Sequence, residues 1–213
     1  MHLSDVAAVL LDMDGTLVDS DAAVGRAWTA WAGEYGVKPE AALSICHGHP
    51  TASTVAVLFP DLDRDAAAAA AARQLELQYD DLSDVTAAVG ARSFLALLGE
   101  LGIPWAVVTS ADQRLAKARL GAAGIAPPVL VTSDDVTVGK PDPAGYLLAA
   151  KLLRVAPERC LVVEDAEPGV AAGRAAGVGL VAALKGVPGD LQIEDFSQLS
   201  RLLRGGGCHT DVG

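Results

Sequence analysis

The sequence predicts an α/β fold: a doubly wound, parallel sheet of five to six strands in a Rossmann-like core, with an inserted α-helical domain. Three observations predict it. Short apolar runs alternate with helix-like segments, the first run is followed by a long helical interval, and 51% of the residues are hydrophobic while 20% are charged. Alternation of this kind is typical of βα units, and the composition is that of a globular protein.

Five apolar runs predict the strands of the sheet: residues 7–11, 105–109, 129–132, 160–164 and 179–183. Each is followed by a turn and a segment with helical pattern, which indicates parallel strands buried on both faces. We therefore expect a core domain formed by residues 1–17 and 87–205.

The interval at residues 18–86 has helical pattern and almost no strand signal, so we expect a separate helical domain there. Its first helix runs from about Asp21 to Tyr35 and ends at Gly36. Seven consecutive alanines at residues 66–72 predict a further helix, to which the sequence assigns no function. Hinges are expected near Leu17–Val18 and Val85–Ala88, and residues 206–213 are expected to form a disordered tail.

Charge and composition exclude several classes of protein. The net charge of -11 disfavours nucleic acid and anionic membranes as partners. No apolar run is long enough to span a membrane, and the N-terminus lacks the basic region of a secretory signal. Cys46, Cys160 and Cys208 have no CxxC spacing, which favours a reducing, cytoplasmic location. The oligomeric state is left between a monomer and a small homo-oligomer.

Polar side chains collect where the predicted strands end, and ligands bind at the carboxyl ends of strands in open α/β sheets. The first strand is followed by Asp12-Met13-Asp14-Gly15-Thr16. The other candidates are Thr109 and Ser110, Glu164 and Asp165, and Lys140 in the loop after the third strand of the core.

Asp12 and Asp14 lie two residues apart, so in an extended chain they leave the backbone on the same side. Close carboxylates repel each other unless a cation lies between them. Mg2+ prefers oxygen ligands, and Asp165 can supply a third carboxylate. A calcium EF-hand is excluded because the glycine and glutamate positions of that loop do not match.

A metal next to a lysine and hydroxyl groups describes a phosphate site. Lys140 offers a positive charge, Thr109 a hydroxyl donor, and the backbone around Met13 further amide donors, with Ser110 as a weaker candidate. A carboxylate can act as nucleophile toward phosphorus while a neighbouring acid protonates the leaving oxygen.

These motifs, Asp12 to Thr16, Thr109, Lys140 in GKPDP and Glu164-Asp165 in VVEDAEPGVAAG, resemble the four motifs of the haloacid dehalogenase-like phosphatases over residues 6–185. The resemblance implies that Asp12 is the nucleophile and Asp14 the general acid and base. It implies that Thr109 and Lys140 hold the phosphoryl oxygens. It also implies that Mg2+ is held by Asp12, the Asp14 carbonyl and Asp165, with Glu164 nearby, and that residues 18–86 are the cap domain.

The resemblance is strongest to sugar-phosphate and glycerol-phosphate phosphatases, which implies a small sugar or polyol phosphate as substrate. The alternative is a sugar phosphomutase of the β-phosphoglucomutase type. Such enzymes carry a hinge histidine about where this chain has Val24 and a cap arginine, and no arginine stands near the HGHPT segment. A catalytically silent binding protein is disfavoured because no expected catalytic position is missing.

Several other residues have structural interpretations. A helical stripe is formed by Val24, Trp28, Trp31 and Tyr35. It is expected to pack inside the cap, and a substrate-facing aromatic is the alternative. Gly169, Gly173 and Gly177 are expected to allow close packing of a helix on the sheet and to end that helix.

Two acidic segments are interpreted as helix starts. Asp142 and Pro143 are expected to begin a helix. Asp19, Ser20 and Asp21 are expected to begin the first cap helix, as an N-cap and as negative charge that suits the helix dipole.

The segment around Cys46 carries two histidines. His47 is a candidate substrate contact, whereas a zinc site with Cys46 and His49 is disfavoured because no further ligand cluster is near.

Overall fold

A computed structural model describes residues 1–46 and 49–205. A six-stranded, wholly parallel sheet forms the centre of the fold, with the strand order β5-β4-β1-β6-β7-β8. Its strands are β1 (Ala8–Leu11), β4 (Trp105–Val108), β5 (Leu130–Val131), β6 (Cys160–Glu164), β7 (Leu180–Ala183) and β8 (Leu191–Gln192). The predicted α/β fold class is confirmed.

Helices connect these strands. They are α1 (Asp21–Tyr35), α2 (Pro39–Leu43), α3 (Thr51–Leu58), α4 (Arg64–Leu77), α5 (Ala91–Leu101), α6 (Gln113–Ala122), α7 (Ala144–Leu153), α8 (Glu167–Ala175) and α9 (Phe196–Gly205). Short 3-10 turns span Leu3–Asp5, Ser133–Asp135 and Pro157–Arg159. No helix within the described ranges is long and apolar enough to cross a membrane.

Alternate residues of each central strand enter different hydrophobic layers. In β1, Val9 and Leu11 join a cluster with residues of α5, α6 and α9, whereas Ala8 and Leu10 join a cluster with residues of α7 and α8. Both faces of the sheet are therefore covered, which explains why the strands read as continuous apolar runs rather than as alternating patterns. The strand ends thus remain as the accessible part of the sheet.

Helices α1–α4 pack around a hydrophobic cluster of their own, which includes Trp28, Trp31 and Val55. Trp31 is fully buried, stacks on Tyr35 with ring centroids 4.6 Å apart, and donates its indole N–H to the Ala70 carbonyl at 2.8 Å. These contacts join α1 to the alanine-rich helix α4, because alanine side chains leave room for the indole ring.

The chain enters and leaves the α1–α4 segment through two short strands, β2 (Val18–Asp19) and β3 (Thr86–Ala87), which pair in antiparallel fashion. The sequence did not predict them, because two residues carry no detectable periodicity. Both strands lie where the hinges were expected. The two connections between the sheet and the α1–α4 segment (the crossings) therefore run side by side and are joined by backbone hydrogen bonds.

Most local interpretations agree with the structure. Gly36 ends α1 with a φ of 67°, and Gly177 follows α8 with a φ of 72°. Helix α7 begins at Ala144, one residue later than expected, although the Asp142 carboxylate does accept a hydrogen bond from the Ala144 amide at 2.9 Å.

Candidate active site

Lys140 lies buried at the carboxyl end of the sheet between two carboxylates. Its Nζ donates to Asp12 Oδ1 at 2.5 Å, to Glu164 Oε1 at 2.6 Å and to the Val108 carbonyl at 3.0 Å. An ammonium group has three N–H donors, and all of them are used here. Lys140 therefore fixes Asp12 and has no N–H group left to donate to a ligand.

Glu164 is held from three sides. Its Oε1 also accepts from the Tyr146 hydroxyl at 2.5 Å, and its Oε2 accepts from the Asp165 amide at 3.2 Å. The side chain is 1% exposed and lies against Gly169, where any Cβ would overlap the carboxylate. The absence of a side chain at Gly169 thus leaves space for the Glu164 carboxylate, a role that the sequence did not predict. Gly173 packs closely against Val162 of the sheet, as expected.

Burial and like charge control the titration of this cluster. Burial, followed by the charges of Glu164 and Asp165, raises the pKa of Asp12, against the lowering effect of Lys140. Burial and Glu164 likewise raise the pKa of Asp165. Burial alone would lower the pKa of Lys140, but Asp12 and Glu164 outweigh it and raise that pKa. The carboxylates thus carry more negative charge than Lys140 neutralises.

Asp12, Glu164 and Asp165 can each direct one oxygen to a common point, since these atoms lie within 4.8 Å of one another. Thr16 donates to Asp165 Oδ1 at 3.1 Å, and Lys185 Nζ lies 3.2 Å from Asp165 Oδ2. An oxygen-only donor set with excess negative charge fits a hard divalent cation such as Mg2+. Glu164 Oε1 accepts from both Lys140 and Tyr146, whereas each Asp165 oxygen has one side-chain partner and Asp12 has only Lys140 among the described residues, so Asp12 and Asp165 are the freer ligands.

The loop after β1 is shaped by Gly15, which has a φ of 77°. A Cβ at this position would overlap the Asp165 carboxylate and approach Lys185. Only glycine allows both this turn and the close approach. Met13 is fully buried in the core, so it can contact a ligand only through its main chain.

Two hydroxyl groups follow β4. The Thr109 hydroxyl accepts from the Ala111 amide at 3.0 Å, which leaves its own proton free to be donated. Ser110 Oγ is buried and has no hydrogen-bond partner among the described residues. Both residues line the same cavity as Asp12. A buried, unpaired hydroxyl at this place is suited to bind an anionic ligand.

Asp14 does not join the carboxylate cluster. Its Oδ2 forms an ion pair with Arg119 Nη1 at 2.7 Å, and its Oδ1 accepts from the Ser20 hydroxyl at 2.7 Å. The Ser20 hydroxyl therefore binds Asp14 and makes no capping hydrogen bond to the N-terminus of α1, which corrects the expected capping role. Asp19 lies in β2 and caps no helix. Asp21 is the first residue of α1, where its negative charge suits the helix dipole as expected, and it also pairs with Lys185 at 2.8 Å.

Sequence reasoning missed Arg119, a residue of α6 that is 2% exposed. A signal was present: Arg119 follows Leu115 by four residues and precedes Leu120 and Ala123, so it interrupts the apolar stripe of its helix. A charged residue on such a stripe needs a buried partner. That partner is Asp14.

These side chains open into a cavity of about 390 Å3. Its walls combine core and helical-insertion residues, including Asp12, Asp14, Thr109, Arg119, Val24, Trp28, Ala71, Ala72 and Gln78. The alanine run thus lines the site, and Trp28 both packs against Trp31 and faces the cavity. His49 lies on the wall, whereas His47 and the tail at residues 206–213 lie outside the described residues.

The Cys46 thiol is buried, and its sulfur lies 3.7 Å from the Leu43 carbonyl. Burial raises the pKa of this thiol to about 11. The thiol is therefore protonated at neutral pH and packs as a small apolar group.

Known proteins resemble this chain in sequence and in fold. The model of the haloacid dehalogenase-like hydrolases matches residues 6–177. Hexitol phosphatase A of Escherichia coli is 43% identical over 174 residues, which are 81% of this chain and 81% of that protein. 2-Deoxyglucose-6-phosphate phosphatase 1 of Saccharomyces cerevisiae is 34% identical over 187 residues, which are 79% of this chain and 76% of that protein.

Among solved structures, a candidate β-phosphoglucomutase of Bacteroides vulgatus has a TM-score of 0.78 and is 27% identical, with coverage of 95% of this chain and 90% of that one. The family match includes every candidate site residue from Asp12 to Asp165.

Proposed function

This chain belongs to the haloacid dehalogenase-like hydrolases, and we propose that it is a Mg2+-dependent phosphatase that hydrolyses small sugar or polyol phosphate monoesters through a phosphorylated Asp12. One observation carries the proposal. Asp12 stands at the carboxyl end of the central strand with Lys140 on one side, Asp165 on the other and an open cavity in front. A buried carboxylate in that position suits nucleophilic attack on an anionic group that neighbouring cations neutralise.

In the first half-reaction, an Asp12 oxygen attacks phosphorus and the bond between phosphorus and the substrate oxygen breaks. The hydroxyls of Thr109 and Ser110 donate to phosphoryl oxygens, and the charge of Lys140 opposes the build-up of negative charge. Asp14 gives its proton to the departing oxygen, so that the sugar or polyol leaves as a neutral alcohol.

In the second half-reaction, Asp14 takes a proton from a water molecule, whose oxygen attacks the phosphorus of the acyl-phosphate. The bond between phosphorus and the Asp12 oxygen breaks, inorganic phosphate forms, and Asp12 is again a carboxylate. Asp14 therefore regains the proton that it lost, and the cycle balances.

Asp12 and Asp165, with the Asp14 carbonyl and with Glu164 beside them, are the residues that we propose to hold Mg2+. When bound, the cation neutralises the charge of the phosphoryl group and of the carboxylates. The three neighbouring carboxylates and the raised pKa values of Asp12 and Asp165 support this assignment, because uncompensated negative charge is what a divalent cation relieves.

The substrate class rests on the relatives and on the cavity. The two relatives compared above are named as phosphatases of hexitol phosphates and of 2-deoxyglucose 6-phosphate. A cavity of about 390 Å3, with Trp28 and alanines beside polar groups, is of a size suited to a small polyol or sugar. We propose that α1–α4 act as the cap that closes over this substrate and excludes water, and that the enzyme is cytoplasmic.

Hydrolysis is favoured over the mutase alternative, which the similarity to the candidate β-phosphoglucomutase keeps open. A mutase must bind a second phosphate with a free cation. The arginine of this cavity, Arg119, is already paired with Asp14.

The test is incubation of the enzyme and Mg2+ with a panel of hexitol, hexose and glycerol phosphates, followed by phosphorus NMR. We expect inorganic phosphate to appear at the rate at which the ester disappears. Conversion of a sugar phosphate to an isomer without free phosphate would contradict hydrolysis. Turnover of none of the panel with Mg2+, Mn2+ or Co2+ would contradict the phosphatase assignment itself.

A further inference from the structure

A buried polar chain joins the candidate general acid to the helical insertion. Arg119 of α6 pairs with Asp14 through Nη1 and donates through Nη2 to Gln78 Oε1 at 2.6 Å. Gln78, directly after α4, donates through Nε2 to Gln74 Oε1 at 2.6 Å. The Thr51 hydroxyl at the start of α3 donates to the same Gln74 oxygen at 3.1 Å. The guanidinium thus bridges the sheet side of the site and the helices above it.

Burial of Arg119 in this arrangement lowers the stability of the fold. The Arg119 guanidinium is taken out of water, and its Nε has no partner among the described residues. An unsatisfied buried donor costs about 1–3 kcal/mol, and replacing a buried ion pair by apolar groups is often neutral or stabilising. Stability alone therefore gives little reason for an arginine here.

The geometry around Asp14 offers a functional reason. Asp14 Oδ1 is held by Ser20 before α1, and Oδ2 is held by Arg119. A carboxyl group has rotamer freedom unless both oxygens are engaged, and proton transfer requires its placement within a fraction of an ångström. Arg119 also lines the cavity together with Asp12 and Asp14.

We propose that Arg119 is a positioning residue, which holds Asp14 in place for proton transfer to the leaving oxygen and is itself held by Gln78 of the helical insertion. This inference rests on the proposed phosphatase function. Seating of α4 on the core, through Gln78, thereby orients the acid that acts on the substrate enclosed beneath it.

The substrate's leaving group separates this role from a structural one. A sugar or polyol oxygen is a poor leaving group that needs a proton, whereas p-nitrophenolate departs without one. The value of kcat/KM reports the steps up to departure of this group. Loss of a correctly placed acid therefore lowers kcat/KM for an alkyl phosphate more than for p-nitrophenyl phosphate.

The experiment measures kcat/KM for both substrate types in Arg119→Met, Arg119→Lys and wild type. We expect Arg119→Met to lower the value for the alkyl phosphate about 100-fold and the value for p-nitrophenyl phosphate less than about 5-fold. Arg119→Lys should recover part of the alkyl phosphate activity, because it can keep the pair with Asp14. Lys117→Met, which removes an exposed charge from the same helix, should change neither value.

Gln78→Leu is the second variant, and it keeps the test valid if Arg119→Met does not fold. It leaves the ion pair intact but removes the acceptor on the insertion, so we expect a smaller loss with the same leaving-group dependence. Equal losses on both substrates, or no loss in either variant, would overturn the inference. Failure of the proposed function would look different, because the wild-type enzyme would then turn over neither substrate.

Discussion

At the scale of single residues, Glu164 determines how the site is held together. Its Oε1 accepts from both Lys140 and Tyr146, which fixes the ammonium group against Asp12. The sequence left open whether Glu164 binds a metal directly, binds it through water or only orients a neighbour. The hydrogen bonds favour orientation, since an oxygen that already accepts twice is a poor ligand for a further cation.

We predict that Glu164→Gln lowers kcat by about 10-fold to 100-fold, because Lys140 loses a charged partner, while Mg2+ affinity changes only a few-fold. Asp165→Asn serves as the comparison, and it should weaken Mg2+ binding by more than about 10-fold. Isothermal titration with Mg2+, together with steady-state kinetics, measures both effects. Equal loss of Mg2+ affinity in the two variants would identify Glu164 as a direct ligand.

Residue types and spacing were enough to predict most of the candidate site, because Asp12, Thr109, Lys140 and Asp165 each lie next to a strand end or in the loop after one. Arg119 and Tyr146 could not be predicted in the same way. Both lie inside helices, and their partners, Asp14 and Glu164, are brought to them only by the packing of α6 and α7 on the sheet.

At the scale of secondary-structure elements, the β2–β3 pair is the connection between the core and the helical insertion. Val18 lies opposite Ala87 and Asp19 opposite Thr86, and the Ala88 amide donates to the Leu17 carbonyl at 3.0 Å. The closure that we propose for α1–α4 requires these two connections to change their backbone angles together. A covalent link between them should therefore restrain the motion.

We predict that the double variant Asp19→Cys/Thr86→Cys loses turnover on the order of tenfold when oxidised and regains it on reduction. Opposed residues in an antiparallel pair lie about 4.5–5.5 Å apart, which a disulfide can span. Both side chains are exposed, and Cys46 and Cys160 are buried. Cys208 lies outside the described residues and is replaced by serine in every form that is compared. Each single variant is the control.

Mg2+ affinity should be the same in the oxidised and reduced forms of this variant, since the carboxylate cluster does not include the crossings. Unchanged turnover in the oxidised form would argue against a hinge at β2–β3.

Strands that lie within longer apolar runs were predictable, including the two-residue β5 in the predicted run 129–132, whereas the other two-residue strands were not. The runs that became β1, β4, β6 and β7 have enough consecutive apolar residues to mark a buried strand. In contrast, β8 has two residues, as do β2 and β3, and such segments form only because a neighbouring strand offers hydrogen-bond partners.

At the scale of the whole molecule, ionisation of the buried aspartates of the site lowers the free energy of unfolding. The pKa values of Asp12 and Asp165 are raised mainly by burial and then by Glu164. A folded-state pKa above the unfolded value means that the folded protein binds more protons. The free energy of unfolding therefore falls as the pH rises from the ordinary aspartate pKa through the raised one.

We predict that, in EDTA, the melting temperature of Asp12→Asn falls less between about pH 4 and about pH 8 than that of the wild type, because one destabilising ionisation is absent. Mg2+ at 100 times its Kd should increase the wild-type free energy of unfolding by about 2.7 kcal/mol and so raise the melting temperature at neutral pH. The melting temperature of Asp12→Asn should rise much less. Scanning calorimetry measures both. Parallel pH dependences in EDTA would refute the electrostatic account of the cluster.

The parallel sheet and the position of the site at its edge could be predicted from the sequence, because parallel strands must be joined by crossover segments, here helices, and their carboxyl ends meet at one edge. The size and shape of the cavity did not follow. They depend on how α4 approaches α6, and the contacts that decide this, such as Gln78 with Arg119, join residues far apart in the chain.

The central claim is that Asp12 carries the phosphoryl group, and mass spectrometry of acid-quenched enzyme tests it most directly. Asp14→Asn should be mixed with Mg2+ and p-nitrophenyl phosphate, since loss of the base that activates water should allow the intermediate to accumulate. We expect one phosphoryl group on the peptide that contains Asp12, and none in Asp12→Asn. Full activity of Asp12→Asn, or phosphorylation at a different residue, would contradict the account.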